Sequence, residues 1–148
     1  MSFPSLRTLA VFGGVYDLAL SVPMLIAPEA TARVFGAPPP VPVLNAQLNG
    51  LFTLTLALGY FWCAQNVEAR RGYLWIAGVF VKLAGAALFL GDHFLRGSPS
   101  SFLFFAATDG TIGLVTLFAL VRTRSLRQGL RTLRSATDTL AGSAAQTQ

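Results

Sequence analysis

Four long apolar stretches dominate this chain, about Leu6–Ala27, Val43–Ala64, Tyr73–Gly91 and Ser101–Val121. Each is about the length a helix needs to cross roughly 30 Å of hydrocarbon at about 1.5 Å per residue. The segments between them, Pro28–Pro42, Gln65–Gly72 and Asp92–Ser100, carry the Pro, Gly or charge that ends a buried helix. The predicted fold is all-α: a polytopic membrane protein with four transmembrane helices in an up-down bundle. Charge usage agrees. Only 11% of the 148 residues are charged, against about 25% in a soluble domain. Apolar residues reach 53% and the mean hydropathy is +0.59. A water-soluble fold of this size could not cover its surface with so few charges. That argues against a cytosolic enzyme, a nucleic-acid binder and a disordered chain.

The first stretch follows Arg7 as a signal peptide would. It is long, however, contains Asp17, and has Pro28 directly after Ala27, so it is expected to stay as a helix. The net charge of +5 is mostly local. Arg122, Arg124, Arg127, Arg131 and Arg134 come after the last stretch with one acid, Asp138, leaving +1 for the rest. Lys and Arg counts orient the spans. The N-terminus, second loop and tail hold eight (Arg7, Arg70, Arg71 and the five tail arginines), and the first and third loops hold Arg33 and Arg96. This bias places both termini in the cytoplasm. Tyr60, Trp62, Tyr73 and Trp75 flank the second loop, as an inner aromatic belt would.

Smaller features refine the layout. Gly36-Ala37-Pro38-Pro39-Pro40-Val41-Pro42 reads as a stiff polyproline strut capping the first two helices, and Pro23 should bend the outer end of the first. Residues 122–140 read as a basic amphipathic helix on the membrane surface. Leu126, Leu130, Leu133 and Leu140 form its apolar stripe, and Arg124, Arg127, Arg131 and Arg134 meet lipid headgroups. The rival is a solvated basic tail that only fixes topology. Residues 141–148 are expected to be disordered.

Three ionisable residues lie inside the stretches: Asp17, Lys82 and Asp109. Counted from their own span ends, they sit about 16, 13 and 12 Å deep, near the bilayer midplane. Each would cost about 2.5–3.5 kcal/mol if it faced lipid, so they are expected to face inward and meet. Asp17 shares a face with Ala10, Gly13, Gly14 and Ser21, Lys82 with Gly78, Gly85 and Ala86, and Asp109 with Ala106, Gly113 and Thr116. Small residues let helices approach closely in lipid. Asn45, Asn49 and Thr53, spaced i, i+4, i+8, could complete the same interior. One lysine cannot balance two ionised aspartates, so the cheapest buried state is one ion pair and one neutral carboxyl. Two readings stand: a lock that holds four helices in register, and a ligand- or proton-handling site. A chain this small is not expected to enclose a large cavity alone.

Asp92-His93 falls at the outer interface, as a pH-sensing or headgroup-binding pair or as a plain loop cap. The lone Cys63 and lone His93 exclude an internal disulfide, bis-His haem ligation and a multi-cysteine or His-rich metal site. No nucleophile-base-acid triad or phosphate loop is present, so no catalytic residue and no metal are assigned. A faint repeat relates Asn49-Gly50 to Asp109-Gly110 and Gly14-Val15-Tyr16 to Gly78-Val79-Phe80.

Tyr16-Asp17 followed by Pro23 and Pro28, Leu48-Asn49-Gly50, Gly59-Tyr60 and Asp109 resemble the small DoxX-like four-helix membrane proteins of bacteria over about Leu6–Val121. The resemblance implies the cytoplasmic membrane and, for some relatives, service as a membrane subunit beside quinone-linked redox enzymes. The expected function is a non-catalytic membrane protein whose polar midplane binds a partner protein or a small hydrophobic ligand. The alternatives are an accessory subunit of a quinone-linked redox complex and a proton-coupled small carrier built as a homo-oligomer. No covalent cofactor is expected; quinone is the candidate. Expected partners are membrane lipids and further copies or subunits of a membrane complex, and no nucleic acid.

Overall fold

The computed structural model describes residues 4–145, with side chains described over 4–123. Every regular element among the described residues is helical. The long helices are α1 (Leu6–Ile26), α3 (Val43–Gln65), α4 (Arg71–Arg96) and α5 (Phe102–Ala145), with a short α2 (Pro28–Val34) after the first. Three of them are long and apolar enough to cross a membrane: α1, α4, and α5 over Phe102–Thr123. The sequence led us to expect four. The second stretch folds as a 23-residue helix, but Asn45, Gln47, Asn49, Thr53 and Thr55 dilute its apolar character.

Local chemistry explains most boundaries. Ser5 caps α1, its hydroxyl accepting from the Thr8 amide at 3.1 Å. Pro28 stands at the first position of α2, where its missing N–H costs nothing, with Glu29 in the first turn and Arg33 in the last. The segment expected as a polyproline strut, Gly36–Pro42, follows this helix and begins at Gly36, which takes the left-handed region at φ 63°. α4 stops at Gly97, which takes the left-handed conformation at φ 71° and returns its N–H to the His93 carbonyl. That places the end of the third apolar helix at Arg96, beyond the expected Gly91.

Two features depart further from expectation. Leu74–Val81, within α4, is wound as a π-helix, one extra residue per hydrogen-bonded turn, and ends directly before Lys82. α5 continues to Ala145 without a break, where a separate surface helix and disorder from Ala141 were expected. The side chains of Arg124, Arg127, Arg131 and Arg134 and the whole of residues 146–148 lie outside the described residues.

Packing joins the helices as two hairpins, α1 on α3 and α4 on α5. Glycine permits the close approach. A methyl at Gly13 would meet the Tyr60 ring at 3.0 Å, and one at Gly113 would meet Leu83 at 2.7 Å. The dry core, including Leu6, Ala10, Tyr60, Cys63, Leu74 and Leu120, gathers at the end of the bundle holding the second loop. Of the expected aromatic belt, Trp62 and Trp75 do face outward, whereas Tyr60 and Tyr73 turn inward. Their rings meet edge to face at 5.4 Å, and Tyr73 donates to the Leu56 carbonyl at 2.7 Å. Arg70 lies over the Trp62 ring at 4.2 Å and donates to the Trp62 carbonyl, closing the C-terminal end of α3. Large apolar side chains occupy much of the outward faces, among them Phe12, Ile76, Phe80, Leu114 and Phe118.

Candidate ligand-binding site

The three intramembrane charges meet. Lys82 Nζ donates to Asp17 Oδ1 at 2.6 Å and to Asp109 Oδ1 at 3.1 Å. Asp17 is 1% exposed, Lys82 4%, and the Asp109 side chain 14%. The small faces foreseen around them are the surfaces that make this possible. Ala10, Gly13, Gly14 and Ser21 on α1, Gly78 and Ala86 on α4, and Ala106, Gly113 and Thr116 on α5 are all buried. Lys82 thus bridges both hairpins, with Asp17 from one and Asp109 from the other.

Tyr16 completes the cluster. Its ring lies 4.5 Å from Lys82 Nζ, close enough for a cation–π contact. Its hydroxyl shares a 2.8 Å hydrogen bond with Thr108 Oγ1, which holds the ring in place. The sequence showed Tyr16 only beside Asp17; its role depends on α1 facing α5. Among the described residues, two buried side-chain polar atoms have no hydrogen-bond partner: Asp17 Oδ2 and the Tyr60 hydroxyl.

On the side of the cluster away from the dry core, the helices diverge around a cavity of about 590 Å³. The space is open on one side, so the chain lines it without enclosing it; α2 and Ala37–Pro40 fold back over the helix ends and supply one wall. Ser101 Oγ donates to the Phe35 carbonyl, tying that wall to the start of α5, and Gln47 reaches the Leu25 carbonyl at 3.4 Å. The lining is mainly apolar, including Leu20, Met24, Phe52 and Leu56. Among the described lining residues only Asp17, Lys82 and Asp109 are charged.

The polar stripe of α3 divides. Asn49 and Thr53 line the cavity, Thr53 with its hydroxyl donated to the Asn49 carbonyl at 2.8 Å. Asn45 does not join them. It sits in the first turn of α3, exposed and outside the lining. Phe102 and Phe105 line the cavity, and Phe104 faces outward. Asp92 and His93 are remote from it and fold onto their own loop. Asp92 accepts from Arg96 at 2.9 Å and from the Ser98 hydroxyl, and His93 Nδ1 bonds the Ser98 carbonyl at 2.7 Å. That is the geometry of a helix-end cap. Among the described residues no group of His, Cys, Asp or Glu could hold a metal ion.

No protein-family model, curated protein or solved structure matches the chain.

Proposed function

We propose that this protein is a four-span membrane protein that holds a small amphiphilic ligand between its two hairpins. The ligand's polar head meets the Asp17–Lys82–Asp109 cluster, and its apolar body lies against Leu20, Met24, Phe52 and Phe89. The observation that carries this reading is the cavity itself. A register lock needs only the ion pairs, and it gains nothing from about 590 Å³ of lined space beside them. Small-molecule pockets have this size and this make-up, an apolar wall with a few convergent polar groups. The role is binding, with no reaction assigned.

Two parts of the setting belong to the same proposal. α3, at 23 residues and so about 34 Å long, spans with the others, with Asn49 and Thr53 turned to the cavity. Both termini face the cytoplasm, as the arginine bias requires, and the membrane is the cytoplasmic one.

The test uses 5-phenylpentan-1-ol as a neutral amphiphile, titrated calorimetrically into the protein in phosphatidylcholine nanodiscs. Saturable binding above that of empty discs is expected for the wild type, and loss of it for Ala46→Trp, which fills the cavity without touching the charges. Absence of saturable binding to the wild type would overturn the reading. Mass spectrometry of co-purifying molecules adds a discriminating arm. A quinone present with the wild type and absent from Ala46→Trp would favour the accessory subunit of a quinone-linked redox complex.

A further inference from the structure

We infer that the ligand is a lipophilic amine, bound as its ammonium ion. This rests on the cavity being a binding site, and four features of that cavity select the head group. The first is that Lys82 is already engaged. Its ammonium has three N–H groups. Two go to Asp17 and Asp109, at 2.6 and 3.1 Å, and the Tyr16 ring covers another side at 4.5 Å. An incoming carboxylate or phosphate finds no free cation there.

The second feature is the charge balance. Two carboxylates face one ammonium, and no other described residue lining the cavity is charged. With both carboxylates ionised the cluster has one negative charge in excess, in surroundings too apolar to screen it, so a proton or an incoming cation must balance it. A cationic head group supplies that balance, and an anionic one adds to the excess. Third, the carboxylates have acceptor capacity to spare. Asp17 Oδ2 is buried without any donor. Asp109 is the more accessible of the two, and Gly85 keeps the space beside it open, since a methyl there would stand 3.3 Å from Asp109 Oδ2. An ammonium brings what these oxygens lack, N–H donors and a positive charge together.

The fourth feature is the wall. Tyr16, Phe35, Phe52, Phe89, Phe102 and Phe105 line this one cavity. Several of them touch: Phe35 and Phe105 at 4.7 Å between ring centres, Phe89 and Phe105 at 5.4 Å, and Phe89 and Phe102 at 5.8 Å. Aromatic faces attract ammonium ions and also accommodate an alkyl or aryl body. An anion gains nothing from such a wall, and a neutral head gains only its apolar contacts.

Three probes that share one body and differ in head group test this on the intact protein. They are 5-phenylpentylamine, 5-phenylpentan-1-ol and 5-phenylpentanoate, titrated at neutral pH into nanodiscs of zwitterionic lipid, with empty discs as the reference. The amine is expected to bind at least about tenfold more tightly than the alcohol, and the carboxylate most weakly. In Asp109→Asn the amine should fall to the affinity of the alcohol, with alcohol binding retained. Equal affinity of amine and alcohol for the wild type would overturn the inference, because the excess charge would then be balanced by a proton. It would leave the binding site standing. Failure of all three probes removes the site itself. Should Asp109→Asn fail to fold, the wild-type ranking of the three heads still decides.

Discussion

Lys82 is the residue on which both hairpins converge, so its removal should be felt more than that of any other single side chain. Lys82→Met leaves two carboxylates facing one another in an apolar interior. Breaking a buried ion pair from one side typically costs about 3–5 kcal/mol. The triple variant Asp17→Asn/Lys82→Met/Asp109→Asn removes the whole network and should recover much of that loss. Denaturation in mild detergent, monitored by circular dichroism, checks both. A triple variant no more stable than Lys82→Met would show that the pairing is not what makes the lysine necessary. The location of these charges is legible in the sequence, because a charge at the midplane of an apolar stretch has few acceptable environments. The division of Lys82 between two aspartates is not. Charge arithmetic alone favours one ion pair and one neutral carboxyl without saying which aspartate pairs, whereas Asp17 and Asp109 reach the same ammonium from opposite hairpins.

Among the elements, α4 differs most from what periodicity implies. Eight residues of it, Leu74–Val81, are π-helical, and every extra residue in such a turn rotates the remainder of the helix by about 100° relative to α-helical winding. The run Leu-Trp-Ile-Ala-Gly-Val-Phe-Val is apolar all round, so no polar pattern marks the change of winding. Other element ends obey rules visible in the residues, and glycine substitutions test them. Gly97 sits at φ 71°, so Gly97→Ala should cost about 1–2 kcal/mol. Gly91 lies within the same helix with nothing within 4 Å of a methyl placed there. Gly91→Ala should therefore stabilise by about 0.5–1 kcal/mol. Thermal unfolding of the two variants side by side provides the comparison, and shifts of the same sign would contradict the assigned cap. α2 obeys the same logic. Pro28-Glu29 and Arg33 are a helix start and a helix end, but the dense prolines after Ala37 favour extended backbone and mask that signal in the sequence.

For the whole molecule, three helices meet the demands of a spanning segment by length and apolar content. The proposed fourth, α3, fixes the topology. With four spans, Ala69→Cys and Gln148→Cys should react with a membrane-impermeant maleimide only from the cytoplasmic side, and Pro39→Cys only from the opposite side. The substitutions belong in a Cys63→Ser background, although Cys63 is itself buried. Opposite sidedness of Ala69→Cys and Gln148→Cys would mean an odd number of crossings between them and would remove the four-span arrangement. The cavity also belongs to this scale. It lies at the end of the bundle away from the dry core, where the hairpins diverge and α2 folds over them.

The sequence by itself determined that this chain is helical, that its long helices suit lipid, and that three charges and their glycine-rich faces mark the interior. Those conclusions need only local quantities: stretch length, the cost of a charge in hydrocarbon, and the spacing of small residues along one helix face. Tertiary structure alone decided that Lys82 serves two carboxylates, that Tyr16 covers it, and that Tyr60 and Tyr73 belong to the core. It alone decided that space is left beside the charges. A cavity is what remains between elements once each has taken its place, so it depends on crossing and fold-back, which no single segment encodes. For the same reason the aromatic rings that line it come from α1, α3, α4, α5 and the first loop at once, and along the chain they look like ordinary apolar residues.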